Sequence, residues 1–278
     1  MNKVLVNGKL LSADKASVPV DNHSYRYGDG LFETMKVVQG RLLLSAYHAD
    51  RLWSSMKLLQ YRVPAHFTPV RLEEEILNLC EVNACSQLAR VRLSVTRGSG
   101  GLYDGDEKLQ YLAECWPLSE TIQELHTNGL VAGVYRDMQK PCDQFANCKS
   151  SSFLPYVMGA VYAKQQKWNE ALVLNTHQRI ADATTANVFI IKDKTIFTPP
   201  LSEGCIDGVM RRHLLTALPG EGFAVEERPL TVEEVETADE VFLSNAIHGL
   251  RWVGRFNETT YVPALVPAVY RALVRTIF

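Results

Sequence analysis

The chain has 278 residues, 46% of them hydrophobic and 22% charged, with 29 Lys and Arg against 31 Asp and Glu and a formal net charge of −2. That balance creates no strong field of one sign, which argues against nucleic acid or an anionic membrane surface as the main partner and leaves a small molecule as the expected ligand. The length suits two domains, no apolar run approaches the ~18 residues that span a bilayer, and the start alternates like a strand and lacks a signal-peptide core, so a cytoplasmic address is expected.

Residues 3–11 read as a hairpin around Asn7-Gly8, a dipeptide that tolerates positive φ. A second strand pair is predicted at 31–38 and 41–44, joined by Gln39-Gly40. Helical spacing appears at 47–59, with Leu52, Met56 and Leu59 on one face, and again at 72–82. Residues 88–96 alternate as a strand, and the pattern breaks near Trp116-Pro117, where an interdomain linker is placed. A strand at 130–135 follows, then a helix at about 152–167, strands at 170–174, 188–191 and 195–198, a helix at 209–217 and a strand at 240–243. Strands and helices in this order, without regular βαβ alternation, describe an α+β chain. Six cysteines (Cys80, Cys85, Cys115, Cys142, Cys148 and Cys205) form no Cys-x-x-Cys pair and join no His cluster, so they read as reduced, mostly buried thiols, and no metal site is expected. Gly28-Asp29-Gly30 and Gly98-Ser99-Gly100-Gly101 match neither the dinucleotide fingerprint nor the P-loop and read as turns.

Asn147-Cys148-Lys149-Ser150-Ser151-Ser152 sets Lys149 among small side chains between a loop and a helix. An amine works as nucleophile or proton carrier only when unprotonated, in a dry or electropositive pocket. Taken alone, Lys149 is one solvated lysine among many. Its company points elsewhere. Gly159-Ala160-Val161-Tyr162-Ala163-Lys164-Gln165 follows it, then Asp182-Ala183-Thr184-Thr185-Ala186-Asn187-Val188-Phe189. Upstream stand Tyr27-Gly28-Asp29-Gly30-Leu31-Phe32-Glu33 and His48-Ala49-Asp50-Arg51-Leu52, and downstream Ile206-Asp207-Gly208-Val209-Met210-Arg211 and Ser244-Asn245-Ala246-Ile247.

These segments, in this order over residues 1 to about 255, resemble the fold-type IV family of pyridoxal 5′-phosphate (PLP) aminotransferases. The resemblance implies a two-domain α+β fold: a small N-terminal α/β domain (1–118), a linker (119–129) and a larger strand-rich PLP-binding domain (130–278), with the cofactor between them. It implies Lys149 as the Schiff-base lysine and Asp182, where the family usually carries Glu, as the acid against the pyridine nitrogen. A surface turn is the plain alternative for Asp182, and Asn187 reads as a support for its loop. Arg51, the N–H groups of Val209 and Met210 at a helix start, and Asn245 with Ala246 are the implied phosphate cage. Arg51 could instead be a solvated helix arginine, and Gly208 an ordinary helix-start glycine.

Substrate motifs disagree. The Arg-x-His carboxylate trap of D-amino-acid aminotransferases should follow Val95-Thr96-Arg97-Gly98, but Leu102, Tyr103 and Asp104 stand there. Arg26 and Arg92, the latter at a position where branched-chain aminotransferases carry a substrate arginine, are the remaining candidates. A loop salt bridge for Arg26 and cross-strand pairing for Arg92 are the alternatives. The expected activity is transamination between an amino acid and a 2-oxo acid, D-amino acids favoured by the 159–165 and 170–174 similarity. The alternatives within the family are aminodeoxychorismate lyase and branched-chain L-amino-acid aminotransferase, and outside it a catalytically silent binding protein. A homodimer is expected by family analogy, with Arg26 reaching the partner's site.

Overall fold

The computed structural model describes residues 2–277, and the chain divides into two compact units, Met1–Ile122 with Cys148–Phe153, and Gln123–Asn147 with Leu154–Phe278.

In the first unit, strands β1 (Lys3–Val6), β2 (Lys9–Ser12), β3 (Gly30–Val38), β4 (Arg41–Leu42), β5 (Leu88–Thr96) and β6 (Gln110–Pro117) form an antiparallel sheet in the order β2-β1-β6-β5-β3-β4. Both expected hairpin turns form with two consecutive left-handed residues, Asn7-Gly8 (φ 49° and 80°) and Gln39-Gly40 (φ 50° and 72°), the pairing that matches strand twist. A short helix α1 (His23–Tyr27) precedes β3. Helices α2 (Ser45–Leu58) and α3 (Pro69–Val82) cover one face of the sheet. Thr68 caps α3, its hydroxyl accepting from Arg71 N, and Pro69 occupies the first turn, where its missing N–H costs nothing. Leu52, Met56, Leu72, Ile76 and Leu79 from the helices pack against Val37, Val91 and Leu93.

In the second unit nine strands form one mixed sheet: β7 (Leu130–Lys140), β8 (Glu170–Asn175), β9 (Ile180–Ala183), β10 (Asn187–Lys192), β11 (Thr195–Thr198), β12 (Ala224–Glu227), β13 (Glu240–Asn245), β14 (Gly249–Phe256) and β15 (Thr259–Thr260). The order is β12-β11-β10-β13-β14-β7-β8-β9, with β15 on β14. β8 and β9 are buried along their whole length, as strands covered on both faces should be. Helices α4 (Leu154–Gln165), α5 (Val209–Ala217), α6 (Val232–Glu236) and α7 (Val266–Ile277) complete the unit. The buried Glu240 carboxylate accepts from Ala264, Leu265 and Val266 N at 2.6–3.0 Å and so fixes the start of α7.

Several boundaries differ from the sequence expectation. β4 stops at Leu42, and β6 was not anticipated, because its inward positions Tyr111, Ala113 and Cys115 are too modestly apolar to stand out. The unit boundary falls at Ile122, inside the expected linker, and residues 148–153 return to the first unit because they hydrogen-bond along β3. Among the described residues no helix is long and apolar enough to cross a membrane.

Candidate active site

In the first unit, Phe32 N donates to Lys149 O at 2.9 Å and Ser151 N to Gly30 O at 2.8 Å, so the 148–153 segment is held alongside β3. A Cβ at residue 30 would lie 2.6 Å from Ser24 Oγ and 2.7 Å from Ser151 Oγ, which explains the second glycine of Gly-Asp-Gly as close approach. Lys149 is half-buried, its Nζ 4.5 Å from the centre of the Phe32 ring and 5.6 Å from that of Phe153. The two rings meet edge to face at 5.3 Å. The Arg92 guanidinium lies 4.1 Å from the centre of the same Phe32 ring. Burial, then the neighbouring Arg90, lowers the Arg92 pKa while Glu114 opposes, yet a guanidinium stays charged in any such setting. Arg26 is exposed and donates to Val20 O at 3.3 Å and Gly100 O at 3.1 Å, tying α1 to the 98–101 loop. It is apart from the Lys149–Arg92 pair in its bonding.

Arg51 is not a solvated helix arginine. On the turn-spaced positions 48 and 51 of α2, His48 and Arg51 both face Glu33 of β3, and all three are buried. Glu33 accepts from Arg51 Nε at 2.8 Å, from Arg51 Nη2 in a short charged contact, and from His48 Nδ1 at 2.7 Å. Burial alone would raise the Glu33 pKa. The Arg51 charge and the hydrogen bonds from His48 and Arg51 overcome that and bring it down to about 2. Burial lowers the His48 pKa, with Arg51 and Lys149 pushing the same way against Glu33, so at neutral pH the ring is neutral and donates from Nδ1. Two of the Arg51 donors are therefore spent on fixing the guanidinium plane.

In the second unit Asp182 sits in β9, fully buried, which removes the surface-turn alternative. Its Oδ2 accepts from Tyr156 OH at 2.7 Å and Ile206 N at 2.8 Å, and its Oδ1 from Asn187 Nδ2 at 2.8 Å. The Lys140 ammonium stands 3.5 Å from Oδ2. A carboxylate offers roughly four acceptor positions, so this network leaves Oδ1 capacity for one more donor. Burial, then Asp182, pushes the Tyr156 pKa well above that of a free phenol, which keeps it a donor. Asn187 also donates to Ile206 O at 2.8 Å, and a Cβ at residue 208 would collide with Asn187 Oδ1, so any larger residue there must displace that side chain. Gly208 is the N-cap of α5 and gives it no side-chain cap, which leaves the first N–H groups, Val209 and Met210 among them, to an anion or solvent. Across the sheet Asn187 pairs with Ser244, whose buried hydroxyl has no hydrogen-bond partner among the described residues. Asn245 is spent on its own turn, accepting from Ile247 N and His248 N and donating to Thr185 O.

This donor set fits a phosphorylated pyridine: an uncapped helix start with an unsatisfied hydroxyl suits an anion, and a buried carboxylate with one acceptor position to spare suits a ring N–H. The first unit assembles Lys149, Arg92 and, through Glu33, Arg51, and the second assembles Asp182, the α5 start and the Ser244 turn. Four contributors went unweighted in the sequence. Glu33 was visible as the single acid in an apolar strand, and His48 as the i, i+3 neighbour of Arg51. Ser244 stood inside the Ser244-Asn245-Ala246-Ile247 segment without being singled out, and Tyr156 carries no local signal, since only the fold sets it beside Asp182.

Comparison with known proteins gives the family. The family model for amino-transferase class IV matches residues 30–256. A D-alanine aminotransferase of Bacillus licheniformis is 27% identical over 247 residues, 87% of this chain and 84% of the relative. An aminodeoxychorismate lyase of Bacillus subtilis is 27% identical over 270 residues, 93% of this chain and 88% of the relative. The crystal structure of a branched-chain aminotransferase from Thermoproteus uzoniensis with norvaline superposes with a TM-score of 0.90 at 21% identity, covering 99% of this chain and 94% of that one. The chain therefore belongs to the class IV aminotransferases and is, with them, a PLP-dependent enzyme of fold type IV.

Proposed function

We propose that the protein transfers an amino group between an amino acid and a 2-oxo acid, with D-amino acids as the favoured substrates. The observation that carries this reading is the pairing of an amine and a guanidinium on one aromatic wall: Lys149 Nζ and Arg92 both stand against Phe32. A transaminase needs a base at the substrate Cα and a cation for its carboxylate, and this wall offers both.

In this reading PLP, when bound, draws electrons from the substrate Cα and so makes its proton removable. Asp182 would face the pyridine nitrogen through Oδ1, held in place by Tyr156, Asn187 and Ile206 N. The phosphate would be held by Arg51, oriented by Glu33, and by Val209 N, Met210 N, the Ser244 hydroxyl and the backbone of Asn245 and Ala246. Lys149, in its aromatic seat, would serve as the base that removes the Cα proton and returns it on the far side of the shared nitrogen, two atoms along. Arg92 binds the α-carboxylate, a charge-assisted contact of about 1.5–3 kcal/mol. Arg26 holds the 98–101 loop and would serve the site only across a dimer. An apolar stripe exposed on α4, Leu154, Val157, Met158 and Val161, supports that homodimer. Six free cysteines suit a reducing, cytoplasmic compartment.

Mixing the PLP-loaded enzyme with D- and then L-amino acids and following conversion of the cofactor to its amino form by absorbance tests the reading. Conversion by D-amino acids is expected. Conversion by branched L-amino acids alone would reverse the stereochemical assignment. No conversion, with rapid pyruvate release from aminodeoxychorismate, would replace it with the lyase activity that the Bacillus subtilis relative is named for.

A further inference from the structure

Three of the six cysteines come together in the first unit. Cys80 lies near the end of α3, Cys85 follows the 83–84 turn, and Cys115 is on β6, and their three Sγ atoms lie within 4.8 Å of one another. Cys85 Sγ is 3.4 Å from Cys115 Sγ, and all three residues are buried. A single buried cysteine is ordinary core packing. Three converging from separate elements are a different matter, because three sulfurs around a cation with metal–sulfur bonds of about 2.3 Å sit about 4 Å apart, close to the spacing present here.

A second feature marks the cluster. The Asn83 side chain is locked to the backbone of Lys3, accepting from its N–H at 2.8 Å and donating to its carbonyl at 2.9 Å, and it also donates to Cys115 Sγ at 3.2 Å. An amide aimed at a sulfur favours thiolate over thiol, as outer hydrogen bonds do around bound metals. Among the described residues no fourth His, Cys or carboxylate joins the group. Thiolates bind both zinc and copper(I), but zinc in structural sites takes four ligands, so a set of three sulfurs favours copper(I). Val82 and Ala84, at the turn just before Cys85, are exposed, so the buried cluster lies next in the chain to a surface turn.

The geometry points to Cys80, Cys85 and Cys115 as a three-sulfur site for a soft monovalent cation, copper(I). Binding exchanges thiol protons for the metal and involves no change of oxidation state. The fully reduced, PLP-loaded chain, kept anaerobic, is titrated with copper(I) against bicinchoninate, and the loaded protein is examined by X-ray absorption. One copper per chain is expected, with three sulfurs at about 2.3 Å. Cys80→Ser, Cys85→Ser and Cys115→Ser should each weaken binding by more than the roughly 10–100-fold that loss of an outer-shell partner costs, while Cys142→Ser, in the other unit, should bind as wild type does. Copper left with bicinchoninate by the wild type, full binding by all three variants, or nitrogen and oxygen donors in the absorption spectrum would each overturn the site. Where a serine variant fails to fold, the wild-type spectrum still decides.

Discussion

Replacing Glu33 by Gln tests the buried ion network beneath the proposed phosphate arginine. In the folded chain the Glu33 pKa is about 2, against an ordinary value of 4.5. At about 1.4 kcal/mol per pH unit, that gap links about 3 kcal/mol of stability to ionised Glu33. The figure agrees with the roughly 3–5 kcal/mol lost when one partner of a buried pair is removed and the other charge is stranded, here the Arg51 guanidinium. Because the folded pKa is depressed, this stability is fully present above pH 4.5 and is lost as pH falls through about 2. At about 2–4 °C per kcal/mol, apo Glu33→Gln should melt roughly 6–12 °C below wild type at pH 7. The difference should shrink steadily below about pH 4.5, since protonated Glu33 becomes as neutral as Gln. Adding Arg51→Met should cost less than the two single losses together, because it removes the stranded charge. Scanning calorimetry of the four proteins across pH reads all of this. A variant melting with wild type at pH 7, or a gap that widens in acid, would refute the reasoning.

Arg92→Met should raise KM for amino acids by about 10–150-fold, the equivalent of the 1.5–3 kcal/mol of one charge-assisted contact, with cofactor content unchanged; steady-state kinetics with an unaltered KM would remove Arg92 from the substrate site. Gly208→Ala puts a methyl group into Asn187 Oδ1 and must break the grip of that side chain on Asp182 and Ile206. It should cost about 1–3 kcal/mol and speed loss of PLP on dialysis, and wild-type melting with wild-type retention would contradict this. Lys149→Ala should lose the pyridoxyl label that borohydride fixes on the Lys149 peptide and slow transamination by at least about 10²–10⁴-fold. A label that persists on another lysine would reassign the base.

Much of this was legible in the chain itself, because the features concerned are local. Asn7-Gly8 and Gln39-Gly40 specify their turns through residues that accept positive φ, and Thr68-Pro69 opens a helix through its own hydroxyl and ring. The motifs around Lys149, Arg51, Asp182 and Gly208 are short enough to be recognised intact, and they led to the family. What the residues do to one another was decided only in three dimensions. Asp182 and Glu33 are both acids within strands. Burial brings Tyr156, Asn187 and Ile206 N onto one, and a buried arginine and histidine onto the other, across separations of up to 26 residues. Arg26 and Arg92 looked equivalent in sequence, yet the first lies on the surface over a loop and the second against the ring that seats Lys149. The cysteines make the same point: Cys80, Cys85 and Cys115 have no recognisable spacing, and only the packing of α3 on the sheet brings their sulfurs together. Local propensity and motif depend on neighbours in the chain, while charge, hydration and ligand geometry depend on neighbours in space, which the tertiary fold alone supplies.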